Sequence, residues 1–233
     1  RWGEDPARVD YGLLYANRYP VLRGACARLL AQNRPELAAF CREQEGWLED
    51  YALFMALKDR YGGRSWLEWP EELRLRRPEA LDRARAELAG ETSFWRAVQY
   101  LFFSQWWRLK EYANKKGISI IGDLPIYVAL DSADVWAGRS QFQLDGEGRP
   151  TEVAGCPPDG FAAGGQLWGN PLFNWEGMRE EGYAWWLGRI AFQFRLYDTL
   201  RIDHFRGFDE YFAVPYGEST ARNGRWRSGP GIA

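Results

Sequence analysis

Apolar and polar positions along the first ninety residues recur at helical spacing. Ala52-Leu53-Phe54-Met55-Ala56-Leu57 belongs to one such segment, while Gly62-Gly63 and Pro70 punctuate the series. Pro78 suits the first turn of a further helix, where its missing N–H matters little. The clearest pattern comes next: Phe94, Val98, Leu101, Phe102, Trp106, Leu109 and Ala113 line one face of a helix that Ser93 is placed to cap. Lys115 and Lys116 suit its negative end and Gly117 stops it. Ile118-Ser119-Ile120-Ile121 then reads as a short buried strand closed by Gly122-Asp123-Leu124-Pro125. Residues 129 to 175 lack periodicity and read as a long loop, a length that in a compact domain is usually functional. A second helix is expected over Tyr183 to Tyr197, with Trp186, Leu187, Ile190, Phe194 and Tyr197 on one face. It leads into a second strand at Thr199-Leu200-Arg201-Ile202-Asp203-His204-Phe205.

Helix, strand, long insertion, helix, strand is the order of a parallel α/β architecture, where polar chemistry gathers in loops beyond the C-terminal ends of strands. Two domains are expected: a mostly helical subdomain over 1–92 and an α/β part over 93–233. Only two strands are evident, against the eight that close a barrel.

Composition narrows the function. The chain has 233 residues and a formal charge of −2, so no basic excess points to nucleic acid or an anionic membrane. No apolar run approaches the ~20 residues that span a bilayer. Three cysteines, Cys26, Cys41 and Cys156, form no CxxC pair, which suggests neither a disulfide framework nor a zinc site and makes a reducing, cytoplasmic setting the default. With His204 as the only histidine, a histidine metal cluster is excluded, and a lone His reads first as a hydrogen-bonding or packing residue. Aromatic residues make up 16%, including thirteen tryptophans, which read first as bulky core and second as flat faces for sugar rings, and composition does not decide between the two. The chain opens on Arg1-Trp2-Gly3 and stops at Gly229-Pro230-Gly231-Ile232-Ala233, which reads as an internal fragment.

In Leu200-Arg201-Ile202-Asp203 the period of two puts Arg201 and Asp203 on one face, roughly 6–7 Å apart along the strand. An Arg so placed favours an ionised carboxylate, the state a nucleophile needs. The same spacing serves a purely structural ion pair, and spacing alone does not separate the two. Asp123 at the first strand's end suits either an Asx-turn or the mouth of a barrel. Asp131 and Asp134 read as caps of a short helix.

As a set, these motifs resemble the amylomaltases, or 4-α-glucanotransferases. Ile120-Ile121-Gly122-Asp123-Leu124-Pro125-Ile126-Tyr127-Val128 with Asp131-Ser132-Ala133-Asp134-Val135-Trp136 is similar to that family's third-strand signature. Gly155-Cys156-Pro157-Pro158-Asp159 and Gly165-Gln166-Leu167-Trp168-Gly169-Asn170-Pro171-Leu172 resemble its substrate loop, and Arg201-Ile202-Asp203-His204-Phe205-Arg206-Gly207-Phe208 its nucleophile strand. The resemblance implies a partial (β/α)8 TIM-type barrel with a helical insertion subdomain, and transfer of α-1,4-glucan segments by a retaining mechanism without a cofactor. It makes Asp203 the nucleophile, with Arg201 positioning it. Asp123 and His204 would contact the sugar beside the scissile bond, and Asp159, Phe161, Trp168 and Asn170 would serve the glucan path. Two departures stand out. Gly160 and Ala162-Ala163 replace the usual Tyr and Ser of the loop, and the Glu-Asp-Leu-Gly and His-Asp motifs that supply the family's other carboxyls do not occur. A non-catalytic α-glucan-binding module and an α-glucan hydrolase are the alternatives.

Overall fold

Asp10 opens the first helix by accepting a hydrogen bond from the Leu13 amide at 2.9 Å, and the chain then runs through α1 (Tyr11–Ala31), α2 (Pro35–Glu43) and α3 (Glu45–Arg60). α4 (Glu71–Arg74), α5 (Pro78–Glu87) and α6 (Ala89–Lys115) follow, Pro78 standing at the first position of α5 as its fixed φ favours. The computed structural model describes residues 5–231. Arg1-Trp2-Gly3 and Ile232-Ala233, on which the reading of an internal fragment drew, lie outside the described residues.

The chain divides into two compact units. The first holds the chain up to Arg60 together with Asp82–Gln105. Its core gathers Cys26 and Leu29 of α1, Ala52 and Ala56 of α3, and Phe94, Trp95 and Ala97 of α6. Small residues on α3 let the rings of α6 approach, and the Trp95 indole donates to Asp59 at 3.0 Å, so its polar edge is satisfied. α6 is longer than its sequence pattern suggests. Ser93 is not its cap but lies inside it, donating its hydroxyl to the Ala89 carbonyl at 2.8 Å. Phe102 and Leu109, expected on the covered face, are exposed. Gly117, at φ +74°, ends the helix as anticipated.

The second unit comprises Tyr61–Leu81 and the chain from Trp106 onward. Residues 61–81 group with the later chain because their aromatic anchors are there. Trp66 donates its indole to the Leu130 carbonyl at 2.7 Å, and the Trp136 indole donates to the Leu73 carbonyl at 2.9 Å. The two units meet along the sequence at residues 60–61, 81–82 and 105–106.

Within this unit, β1 (Ile121–Pro125) pairs in parallel with a later strand through α7 (Ala133–Ala137), β2 (Glu152–Cys156), β3 (Gln166–Pro171), α8 (Trp175–Glu180) and α9 (Ala184–Leu196) to β4 (Thr199–Asp203). β5 (Glu210–Pro215) and β6 (Arg225–Ser228) complete an antiparallel sheet of order β3-β2-β5-β6. The protein is thus α/β, as the sequence order suggests. Four boundaries differ. β1 begins at Ile121 because the Asp198 carboxylate captures the Ile120 amide at 2.8 Å, so ladder pairing starts one residue on; Ile118 is exposed. The expected turn Gly122-Asp123-Leu124-Pro125 is the strand itself. β4 stops at Asp203, since His204 turns into the left-handed region at φ +52° and Phe205–Phe208 forms a tight 3-10 turn. The stretch 129–175 is not one loop: Glu152–Cys156 and Gln166–Pro171 are strands whose internal glycines and polar residues hide any alternation. In α9, Trp186 is buried but Leu187 and Phe194 are exposed. Ser132, rather than Asp131 or Asp134, caps α7, while Asp131 accepts from the Trp66 amide. Among the described residues no helix is long and apolar enough to cross a membrane.

Candidate active site

Parallel pairing sets the site. In the β1–β4 ladder Asp123 stands opposite Arg201 and Pro125 opposite Asp203. Alternation then puts Asp123, Arg201 and Asp203 on one solvent-exposed face, while Leu124 of β1 is buried and Leu200 and Ile202 are half-buried. Arg201 donates from Nε to Asp123 Oδ1 at 2.9 Å and from Nη2 to Asp203 Oδ1 at 3.1 Å. One guanidinium thus ties together carboxylates from two strands. The hydrogen bond to Asp123, and the charges of Asp123 and Asp203, raise the Arg201 pKa above its ordinary value. All three side chains are about 60% exposed, from 60% for Asp203 to 64% for Arg201.

Gly122, beside Asp123, has no room for a side chain. A Cβ there would fall within the ring of Tyr197, which lies across this part of β1. Beyond the strand, Ile126 and Tyr127 turn inward and are buried. Tyr127 stacks on Phe173 at 5.9 Å between ring centroids, and lies 6.3 Å from Trp168 and 6.5 Å from His204. His204 meets Trp168 edge to face, centroids 4.9 Å apart and planes at 89°. Burial lowers the imidazole pKa, against the opposing pull of Asp203, which favours the neutral ring of His204 beside the carboxylate cluster. Gly207 lets the 3-10 turn close over this group: a Cβ there would meet Ile126 Cδ1 at 2.6 Å and His204 Cδ2 at 3.3 Å.

The loop from Pro157 to Gly165 joins β2 to β3, whose ends Cys156 and Gln166 are register partners. Gly165, at φ +67°, packs against the Cys156 carbonyl, and the Ala221 amide donates to the Gly164 carbonyl at 2.9 Å, which fixes the loop's base. Asp159 Oδ1 accepts from the Phe161 amide at 2.8 Å and the Ala162 amide at 2.7 Å, an Asx-type turn that shapes the tip. Phe161 projects fully into solvent. Trp168, half-exposed on β3, donates its indole N–H to Gln166 at 3.0 Å, and Asn170 donates its amide to the Val128 carbonyl at 2.8 Å.

Of the residues singled out in the sequence, the structure therefore brings Asp123, Arg201 and Asp203 into direct contact, and sets His204 against Trp168. Asn170 holds the chain leaving β1. Asp159 and Phe161 make their hydrogen bonds inside their own loop and, among the described residues, do not touch the carboxylate cluster. Tyr127 joins the group without having been singled out; its signal was the apolar run after Pro125 placed at a strand exit.

The parallel β/α pairing and the solvent-open carboxylate–guanidinium group define an α/β protein with its polar site at the ends of parallel strands. The family model described as 4-alpha-glucanotransferase matches residues 2–233, and the chain belongs to that family. Relatives include 4-alpha-glucanotransferases of Thermus thermophilus, 50% identical over 236 aligned positions, and of Clostridium butyricum, 45% identical over 230. Each alignment takes in 98% of this chain and 47% of the relative, so the chain spans about half the length of the curated relatives it matches. Among solved structures, the amylomaltase from Streptococcus agalactiae in complex with acarbose superposes with a TM-score of 0.95 at 43% identity, over 99% of this chain and 47% of that one.

Proposed function

We propose that this chain carries the nucleophile half of a 4-α-glucanotransferase site, which moves α-1,4-glucan segments by a retaining double displacement. The observation that carries the reading is the Arg201 bridge between Asp123 and Asp203. It engages Asp203 Oδ1 and leaves Oδ2 as the oxygen placed to attack an anomeric carbon. Attack forms a covalent glucosyl–Asp203 ester, and the 4-hydroxyl of an acceptor glucan then displaces it. Asp123 and neutral His204 bind the sugar held beside the scissile bond. Trp168 offers its exposed ring to a sugar face, Phe161 and Asp159 serve the acceptor side, and Asn170 holds the strand exit under them. β1 and β4 are read as two strands of a (β/α)8 barrel, with the helices of the first unit as an insertion. The free thiols of Cys26, Cys41 and Cys156 fit a reducing, cytoplasmic setting.

A retaining mechanism also requires a carboxylic acid ~5–5.5 Å from the nucleophile to protonate the leaving oxygen. We assign that acid to polypeptide beyond these residues, in keeping with relatives about twice as long. The assignment makes a sharp test possible, because fluoride leaves an anomeric carbon without protonation. Incubated with α-maltotriosyl fluoride, the 233-residue chain should gain a glycosyl mass on the peptide containing Asp203. An adduct that persists in Asp203→Asn, or none in the wild type despite measurable maltotriose binding, would overturn the nucleophile assignment.

A further inference from the structure

Arg189 lies on α9, away from the carboxylate cluster, yet it reaches the end of the strand that carries Asp123. Its Nη2 donates to the Pro125 carbonyl at 2.8 Å and its Nη1 to the Ile126 carbonyl at 3.0 Å. The guanidinium is half-buried against two indoles, 4.9 Å from the Trp186 centroid and 5.4 Å from that of Trp185. A planar fork holding two successive carbonyls while its face rests on aromatic rings is a fixed geometry, which a single ammonium cannot reproduce.

The two carbonyls are not arbitrary. Pro125 is the residue opposite Asp203 in the ladder, and it has no N–H of its own to add to the pairing. Ile126 and Tyr127 lead straight into the packing around His204, and Asn170 fixes the next stretch through the Val128 carbonyl. Thus the exit of β1, from 125 to 128, is held by two side chains from other elements, one on α9 and one on β3. Burial draws the Arg189 pKa down to about 10, with the charge of Asp134 opposing, so the group remains a cation at neutral pH.

We infer that Arg189 is a positioning residue, setting the height of the β1 terminus and with it the placement of Asp123 and Tyr127 relative to Asp203 and His204. The inference rests on the glucan-transfer reading for its consequence in binding, though not for its structural half. Strand-end displacements of an ångström in such sites have large functional effects.

The test compares the 233-residue chain with its Arg189→Lys variant by three readouts. These are the thermal midpoint, the backbone amide resonances, and maltotriose affinity followed by tryptophan fluorescence. The variant should stay folded, shift the amides of Asp123, Leu124, Ile126, Tyr127 and His204, and leave those of Phe212 and Val214 in the antiparallel sheet in place. Maltotriose binding should weaken about tenfold. Resonance changes confined to α9 would overturn the proposal, as would unaltered affinity in a variant whose strand-end amides have moved. If the wild type binds no maltotriose while the strand-end amides shift as described, the glucan reading fails and the positioning role stands. Should Arg189→Lys not fold, Arg189→Gln, which brings no buried charge, is judged by the same amides. If neither variant folds, Arg189 is a folding residue and the inference is wrong.

Discussion

Trp168 and His204 meet edge to face, their ring centroids 4.9 Å apart, and so join β3 to the residue directly after Asp203. His204 holds a left-handed backbone that a non-glycine residue adopts reluctantly. The indole packed against its ring helps keep it there. Trp168→Ala removes both that support and the proposed sugar platform. We expect maltotriose affinity to fall about tenfold, the loss of roughly 1.4 kcal/mol, near the upper range for one aromatic contact. Trp168→Phe should recover part of it. Equal affinities for Trp168→Ala and the wild type, measured by calorimetry, would remove Trp168 from the glucan path.

Arg201 separates function from stability. Its two ion pairs are largely exposed, and exposed pairs contribute only about 0–1 kcal/mol. Arg201→Gln should therefore leave the thermal midpoint almost unchanged, while labelling of Asp203 by α-maltotriosyl fluoride drops by an order of magnitude or more, at about the scale of one lost electrostatic contact. A large fall in melting temperature with labelling intact would show the triad to be a structural brace.

Asp198 is expected to contribute to acid tolerance. It accepts from the Lys110 ammonium at 2.6 Å, from Asn114 at 2.8 Å and from the Ile120 amide at 2.8 Å. These bonds, Lys110 first, draw its pKa from 3.8 to about 2. Because the folded value lies below the unfolded one, the stabilisation is whole above about pH 4 and disappears as the pH falls toward 2. Asp198→Asn should lower stability at pH 6 and flatten its decline between pH 4 and 2. Parallel stability–pH curves for variant and wild type, from urea melts, would contradict this.

The Asp198 cluster also shows where sequence reading stops. The spacing of Phe94 through Ala113 and the run Leu200–Asp203 revealed the long helix and the second strand, because each is a local pattern. The shared face of Arg201 and Asp203 followed from alternation alone. The start of β1 did not, since Ile118-Ser119-Ile120 is as strand-like as Ile121 and its successors. Only a carboxylate 78 residues away decides that Ile120 is held before the ladder begins. Likewise, the strands at Glu152–Cys156 and Gln166–Pro171 exist through pairing with each other, the first also with β5, and nothing in their own composition announces them. Arg189 reads as an ordinary helix-surface arginine until the structure folds its side chain under Pro125.

Gly122 offers a packing test. A methyl group there would collide with the Tyr197 ring, so Gly122→Ala should destabilise by about 1–3 kcal/mol. Adding Tyr197→Leu, which replaces the ring with a smaller side chain, should recover a substantial part in a double-mutant cycle. Strict additivity of the two substitutions would mean that the clash is relieved elsewhere.

The β1–β4 register has a consequence for folding fidelity. Asp123 faces Arg201 directly, and a slip of one residue would turn β4's charged residues toward the side now taken by Leu200 and Ile202. Arg201 and Asp203 would lose water and Arg201 would lose its partner Asp123, while apolar side chains moved into solvent. The residues that give the site its charge therefore also proofread the pairing of its strands. A chain that misaligns here is penalised while it is still assembling, before any sugar is met.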